Sequence, residues 1–255
     1  MGWIELDGAV NVRDLGSLAT DDGRTTVPGR LLRGDNLQDL SPADVRMLVD
    51  EIGLTTVVDL RSPVEVASEG PGPLTRVESV RHVHHSVLAE RGDATDAAAD
   101  ALAVSRDGTR YPDDPVCGHY LGYLEDRPDQ VVAALRNVAQ APGAALVHCA
   151  AGKDRTGVVV ALALSAAGVR RKTVIADYAA TGERIGAVLD RLRASRTYAA
   201  DLDSRPADDH KPRAQTMAAF LEQVDARYGG VLGWLSGHRF GPGDVRSLRA
   251  KMLVA

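Results

Sequence analysis

Cysteine is nearly absent from this chain: Cys117 and Cys149 are the two in 255 residues. That is too few for a disulfide framework and fits a reducing compartment. Lysine is almost as scarce, with Lys153, Lys172, Lys211 and Lys251 the whole set, so nearly all positive charge is arginine. The net charge of -5 leaves no general basic surface for nucleic acid or an anionic membrane, and any anion binding must be local. No uninterrupted apolar run reaches the length of a bilayer span, and the opening MGWIELDGAV lacks a charged segment followed by an apolar one. The expectation is a soluble, cytoplasmic chain without stable membrane insertion, with export by a signal-free route left open. No compositional break marks a linker and internal repeats are missing, so one domain over 1–255 is expected, with a core drawn from the 44% of residues that are hydrophobic.

What is present alternates. Short apolar runs rich in β-branched residues predict strands at 30–33, 55–60, 80–87 and 144–149, with helical patterns between them. Ser41-Pro42-Ala43-Asp44 supplies an N-cap with proline at the first helical position, and Val45, Leu48 and Val49 continue the stripe towards Gly53. A second amphipathic helix is expected over 129–139. The order predicts an α/β fold, a mostly parallel sheet flanked by helices. The stretch 91–110 is rich in Ala, Asp and Gly and reads as a mobile insertion. Beyond Thr156 the chain reads as mainly helical, with an arginine-rich amphipathic segment over 182–202, a polar break over 204–212 and a helix over 213–228.

Between two buried runs stands HCAAGKDRTG, residues 148–157. A strand ending at Cys149 that turns through Gly152 into a helix near Thr156 points successive N–H groups into one concavity, with the helix N-terminus adding positive potential. Ala150, Ala151, Gly152 and Lys153 form that cradle. The same field, with Arg155 and Lys153 close by, is expected to depress the Cys149 thiol and make it a nucleophile. Arg155 can fold over the loop and clamp two phosphoryl oxygens with its planar fork. Thr156 can hydrogen-bond the sulfur, and His148 reads as a loop-holding residue. The acid that protonates a leaving oxygen has two candidate places: Asp154 inside the loop, or Asp113 and Asp114 upstream. This chemistry needs no metal or cofactor.

The motif resembles the phosphate-binding loop of the atypical bacterial tyrosine phosphatases, which carry HCxAGKDRTG. The resemblance extends through GAVNVRDLG at 8–16, PGRLLRGDNL at 28–37, VVDLRSPVEV at 57–66, ADYAAT at 176–181 and FLEQVDARYGG at 220–230. It implies a tyrosine-phosphatase fold, Cys149 as nucleophile, Arg155 as phosphate clamp and Asp154, just before the arginine, as the acid. It also implies a helical lid, for which 182–202 is the candidate within the helical region 182–228. A lysine at position 153 is shared with tensin-type phosphoinositide phosphatases. The implied partners are phosphorylated protein, on tyrosine and also on serine or threonine, or phosphoinositide, with inorganic phosphate as product. The chain departs from mycobacterial members at Ala150, where they carry a larger aromatic residue, so the pocket mouth is expected to be wider.

Other residues read as structural. Asp59 and Arg61 fit an ion pair beneath the loop at a strand end. Asn11, Arg13 and Asp14 read as turn and anchoring residues. His82, His84 and His85 lack companion ligands at matching spacing for a metal. Cys117 invites comparison with Cys149 as a disulfide partner, which requires close approach of their α-carbons. Two other functions compete: a phosphate-binding pseudophosphatase, disfavoured by intact Cys149, Arg155 and Thr156, and a rhodanese-like sulfurtransferase, disfavoured by the His-Cys start and Arg-Thr-Gly ending of the motif.

Overall fold

The structure is a computed structural model that describes residues 2–88, 114–195, 197–202 and 207–254. The insertion expected over 91–110 and the candidate acid Asp113 lie outside the described residues. The strands are β1 (Gly2–Trp3), β2 (Arg13–Asp14), β3 (Leu31–Gly34), β4 (Leu54–Asp59), β5 (Arg81–His84) and β6 (Ala144–His148). They form a six-stranded sheet in the order β1-β2-β3-β6-β4-β5. Strands β3, β6, β4 and β5 run parallel, while β1 and β2 add an antiparallel edge. The four runs expected as strands form the parallel part. The run expected over 80–87 is shorter than expected: β5 ends at His84, and among the described residues it pairs only with β4.

Sequence period sets the layers. Leu31, Ala145 and Val147 point into one apolar cluster, and Leu32, Ala144 and Leu146 into the other, so the central strands are buried on both faces. Helix α1 (Pro42–Arg46) begins as expected from Ser41, whose side chain accepts from Asp44 N while Asp44 accepts from the Ser41 amide. It continues into a π-helical turn, Met47–Glu51. The same capping box, Ser62 with Glu65, opens α2 (Pro63–Glu69), a helix the sequence reading passed over. Helix α3 (Pro115–Asp126) was also unexpected, whereas α4 (Pro128–Gln140) matches the amphipathic pattern with Val131, Leu135 and Val138 buried.

After β6, α5 (Asp154–Ala167) is apolar all round and lies in the middle of the larger core. Helices α6 (Arg171–Ala180), α7 (Ile185–Ala194), α8 (Ala199–Leu202), α9 (Ala214–Tyr228), α10 (Val231–Gly237) and α11 (Pro242–Met252) complete the order. No helix among the described residues is long and apolar enough to cross a membrane.

Candidate active site

Strand β6 is flanked by β3 and β4, and Gly34, Asp59 and His148 share one register at its C-terminal end. Sites on open parallel sheets form at that edge, and here the chain turns through 149–153 into α5. Gly152 takes φ +66°, and a Cβ on it would stand 2.5 Å from the Gly34 carbonyl oxygen, so the turn requires glycine. Cys149 is 2% exposed. Among the described residues the buried Thr156 hydroxyl has no hydrogen-bond partner, and it acts with the Thr156 amide to lower the Cys149 thiol.

Burial pushes the Cys149 thiol up; the Thr156 hydroxyl and amide pull it down, and the Asp154 and Glu65 carboxylates add to the rise. The expected depression of this thiol is therefore corrected for the conformation seen here. The cations counted on to lower it are already paired: Arg155 with Glu65 and Lys153 with Asp154.

Arg155 is fixed from beneath. Its Nη1 donates to Glu65 Oε2 at 2.8 Å and to the Leu60 carbonyl at 3.1 Å, and its Nη2 to Glu65 Oε1 at 3.1 Å. Glu65 is fully buried and also accepts from the Ser62 amide at 2.7 Å and from the Tyr198 hydroxyl at 2.9 Å. A buried carboxylate with this many donors is held in one orientation. Sequence reasoning missed Glu65, although the Ser-Pro-Val-Glu capping pattern announced both its helix and its inward turn.

A second support holds the loop carbonyls. Asn11 Nδ2 donates to Ala151 O at 2.9 Å, and Arg33 Nη2 to Gly152 O at 2.7 Å. Arg33 Nη1 and Arg13 Nε reach opposite oxygens of Asp177 at 2.6 and 2.9 Å. Both arginines are fully buried, and burial lowers Arg13 to about 10 despite Asp177. Arg13 and Arg184 each bring the guanidinium carbon to 4.9 Å from the Trp3 ring. Asn11 and Arg13 are thus anchors, as expected; Arg33 and Asp177 were not singled out.

Asp59, Arg61 and His148 lie under the turn. Arg61 Nη2 meets Asp59 Oδ2 at 2.6 Å, and Arg61 Nη1 donates to Asn36 at 3.1 Å. Burial pushes the His148 ring down to about 4, against the opposing pull of Asp59 at 3.7 Å. Burial works against Asp59, yet His148 and Arg61 hold its carboxyl well below the usual range. Asp59 and Arg61 thus form an ion pair, and His148 Nδ1 stands 3.3 Å from the Cys149 carbonyl oxygen.

Asp154 opens α5 and accepts a hydrogen bond from the Tyr120 hydroxyl on Oδ1, while its Oδ2 lies 3.3 Å from Lys153 Nζ. Lys153 also donates to the His210 carbonyl at 2.9 Å. Asp114 is occupied elsewhere: it caps α3 by accepting from Cys117 N at 2.9 Å. Cys117 and Cys149 are both free thiols, and burial followed by Asp114 pushes Cys117 up to about 12.

Helix α7 packs over the turn. Ile185, Val188, Leu189, Leu192, Tyr198 and Leu202 form an apolar cluster with Ala150, which is 5% exposed. Arg191 closes the outer edge, with Nη1 to Asp35 Oδ2 at 2.5 Å and Nη2 to Asp39 Oδ2 at 3.0 Å. Beside it a cavity of about 380 Å³ separates the helix from Asp35, Asp39 and Glu69. This edge is held by charge rather than by packing.

A buried thiol at the mouth of a strand-to-helix turn, with a guanidinium clamped six residues on, defines a cysteine-dependent phosphatase, a hydrolase that takes a phosphorylated substrate and releases phosphate. The description "Tyrosine phosphatase family" fits residues 4–254, and the chain belongs to that family. The triple specificity protein phosphatase PtpB of Mycobacterium tuberculosis is 31% identical over 283 aligned residues, which cover 99% of this chain and 100% of that protein. A putative tyrosine-protein phosphatase of Cupriavidus necator is 32% identical over 91% of this chain and 82% of its own length. A tyrosine-protein phosphatase of Nostoc commune is 27% identical over 89% of this chain and 76% of its own. Neither the pseudophosphatase nor the sulfurtransferase reading is favoured by these relatives.

Proposed function

We propose that the chain hydrolyses phosphate monoesters in two steps through a Cys149 phosphoenzyme. The Cys149 thiolate attacks phosphorus while Arg155 and the amides of Ala150, Ala151, Gly152 and Lys153 hold the equatorial oxygens. The bond to the leaving oxygen breaks as that oxygen takes a proton from Asp154. Water then attacks the phosphocysteine and gives a proton back to Asp154; the phosphorus–sulfur bond breaks, and Thr156 stabilises the departing thiolate. The observation that carries this reading is the placement of buried Cys149 and buried Arg155 in one strand-to-helix turn, with the guanidinium held by Glu65 at 2.8 and 3.1 Å.

The substrates we propose are phosphotyrosine in proteins first, with phosphoserine, phosphothreonine and phosphoinositides as further classes. The printed name of the mycobacterial relative, a triple specificity phosphatase, supports that breadth. Small Ala150 supports it too, since it leaves the wall of the turn to α7 rather than to an aromatic ring. Helix α7 with α8 acts as a lid that must move for substrate to reach a cysteine 2% exposed.

The test is Cys149→Ser assayed on an aryl phosphate, phosphotyrosine and phosphoserine peptides, and phosphoinositides. Turnover of every substrate is abolished, while inorganic phosphate binding stays measurable. Persistent turnover by the serine variant overturns the mechanism.

A further inference from the structure

Tyr120 lies mid-way along α3 and is fully buried. Its hydroxyl donates to Asp154 Oδ1, and the Tyr178 hydroxyl stands 2.7 Å from the Tyr120 hydroxyl oxygen. A phenol carries one proton. With the Tyr120 proton directed at a carboxylate, the bond between the two phenols has a fixed sense: Tyr178 donates to Tyr120, and Tyr120 to Asp154. Burial raises both phenols, Tyr120 well above its ordinary value, so the row does not lose a proton in the working range.

The two oxygens of Asp154 are therefore unequal. Oδ1 is sealed behind a buried donor packed among Tyr123, Tyr178 and Phe220. Among the described residues Oδ2 has no such donor and instead lies 3.3 Å from Lys153 Nζ, on a side chain only partly buried. An ammonium has no acceptor, so a proton on Oδ2 requires Lys153 to turn away, and the His210 carbonyl at 2.9 Å already offers it another partner.

The geometry points to Tyr120 as a positioning residue that keeps Asp154 Oδ1 as an acceptor and leaves Oδ2 as the oxygen that delivers and recovers the proton. This rests on the reading of Asp154 as the acid. In the first step the proton passes from Oδ2 to the leaving oxygen as its bond to phosphorus breaks. In the second, Oδ2 takes the proton of the attacking water. Tyr120 exchanges no proton with substrate; it fixes the rotation of the carboxylate, which a misplaced acid would lose at large cost in rate.

The experiment compares wild type, Tyr120→Phe, Asp154→Asn and the double variant on aryl phosphates whose leaving groups range from weakly to strongly basic. Tyr120→Phe keeps the ring and is expected to lower kcat for phenyl phosphate about tenfold, with little change for a nitrophenyl ester and an unchanged KM. In the Asp154→Asn background the same substitution is expected to change nothing further. An equal loss across all leaving groups, the same loss in both backgrounds, or no loss overturns the proposal. If Asp154→Asn itself shows no dependence on the leaving group, the acid assignment fails first, and the two failures are distinguishable. Tyr178→Phe, which leaves Tyr120 in place, gives a smaller effect of the same kind and serves as the second variant should Tyr120→Phe not fold; a uniform loss or no loss in Tyr178→Phe then counts against the proposal.

Discussion

Glu65 grips Arg155 with both carboxylate oxygens, at 2.8 and 3.1 Å, and shares the second of them with the Tyr198 hydroxyl. The residue that caps α2 thus sets the rotation of the guanidinium proposed to hold the phosphoryl group. It also receives a hydrogen bond from beyond the C-terminal end of α7.

Glu65→Gln removes the charge from this buried pair. Breaking one partner of such a pair costs about 3–5 kcal/mol, and the amide's remaining oxygen places the expected loss towards the lower end. Activity on an aryl phosphate should fall about a hundredfold in kcat/KM because the clamp is no longer fixed. Urea unfolding and steady-state kinetics check the two effects separately; unchanged kcat/KM means Arg155 holds its place unaided.

Arg33→Lys tests the support under the turn. A lysine is a point charge that cannot reach Asp177 and the Gly152 carbonyl together as the planar fork does. The expected outcome is a loss of about 2–4 kcal/mol in stability, with inhibition by inorganic phosphate weakened several-fold. Asp177→Asn leaves both arginines facing each other and should lower the unfolding temperature further than Arg33→Lys does.

Arg191→Ala frees the edge of α7 that lies beside the cavity. Alkylation of Cys149 by iodoacetamide should then run about tenfold faster, since the pair with Asp35 is what closes that edge. The pH profile carries the sign. Burial raises the wild-type thiol, so its alkylation should keep climbing past the ordinary thiol value of 9.0; in the variant the thiol meets water more often and the climb should start at lower pH. Equal rates and profiles would mean that Arg191 holds nothing shut.

His148 makes stability depend on pH. Its folded value is pushed down to about 4, while the unfolded ring sits near the model 6.5. Between those values the unfolded chain binds a proton that the folded one does not, so stability falls as pH drops through that window, by roughly 3 kcal/mol. Asp59 acts lower: its folded carboxyl is held below the ordinary range, so its contribution is intact above the unfolded value and is lost only as pH falls beneath it. Urea midpoints taken from about pH 7 to about pH 4 should fall in the wild type and flatten in His148→Asn.

The parallel strands and the turn were legible because each is a local pattern: short apolar runs for β3 and β6, a β-branched run for β4, and a single decapeptide for the loop. The amphipathic stripe of 182–202 likewise foretold a helix with one face to bury. Glu65, Arg33, Asp177 and Tyr120 were not legible as site residues, because their roles depend on partners between 34 and 164 positions away. Antiparallel β1 and β2 escaped for a different reason: two residues apiece carry no alternation to read. The thiol shift escaped because spacing shows which cations are near a cysteine but not which are already paired.

Trp3 has a consequence for observing this enzyme at work. The chain has two tryptophans, and Trp234 is 1% exposed within the core. Trp3 instead rests against the guanidinium groups of Arg13, which braces the loop, and Arg184, which begins α7. Its fluorescence is therefore a natural optical gauge of the base of that helix, read against a constant background from Trp234 and requiring no attached dye.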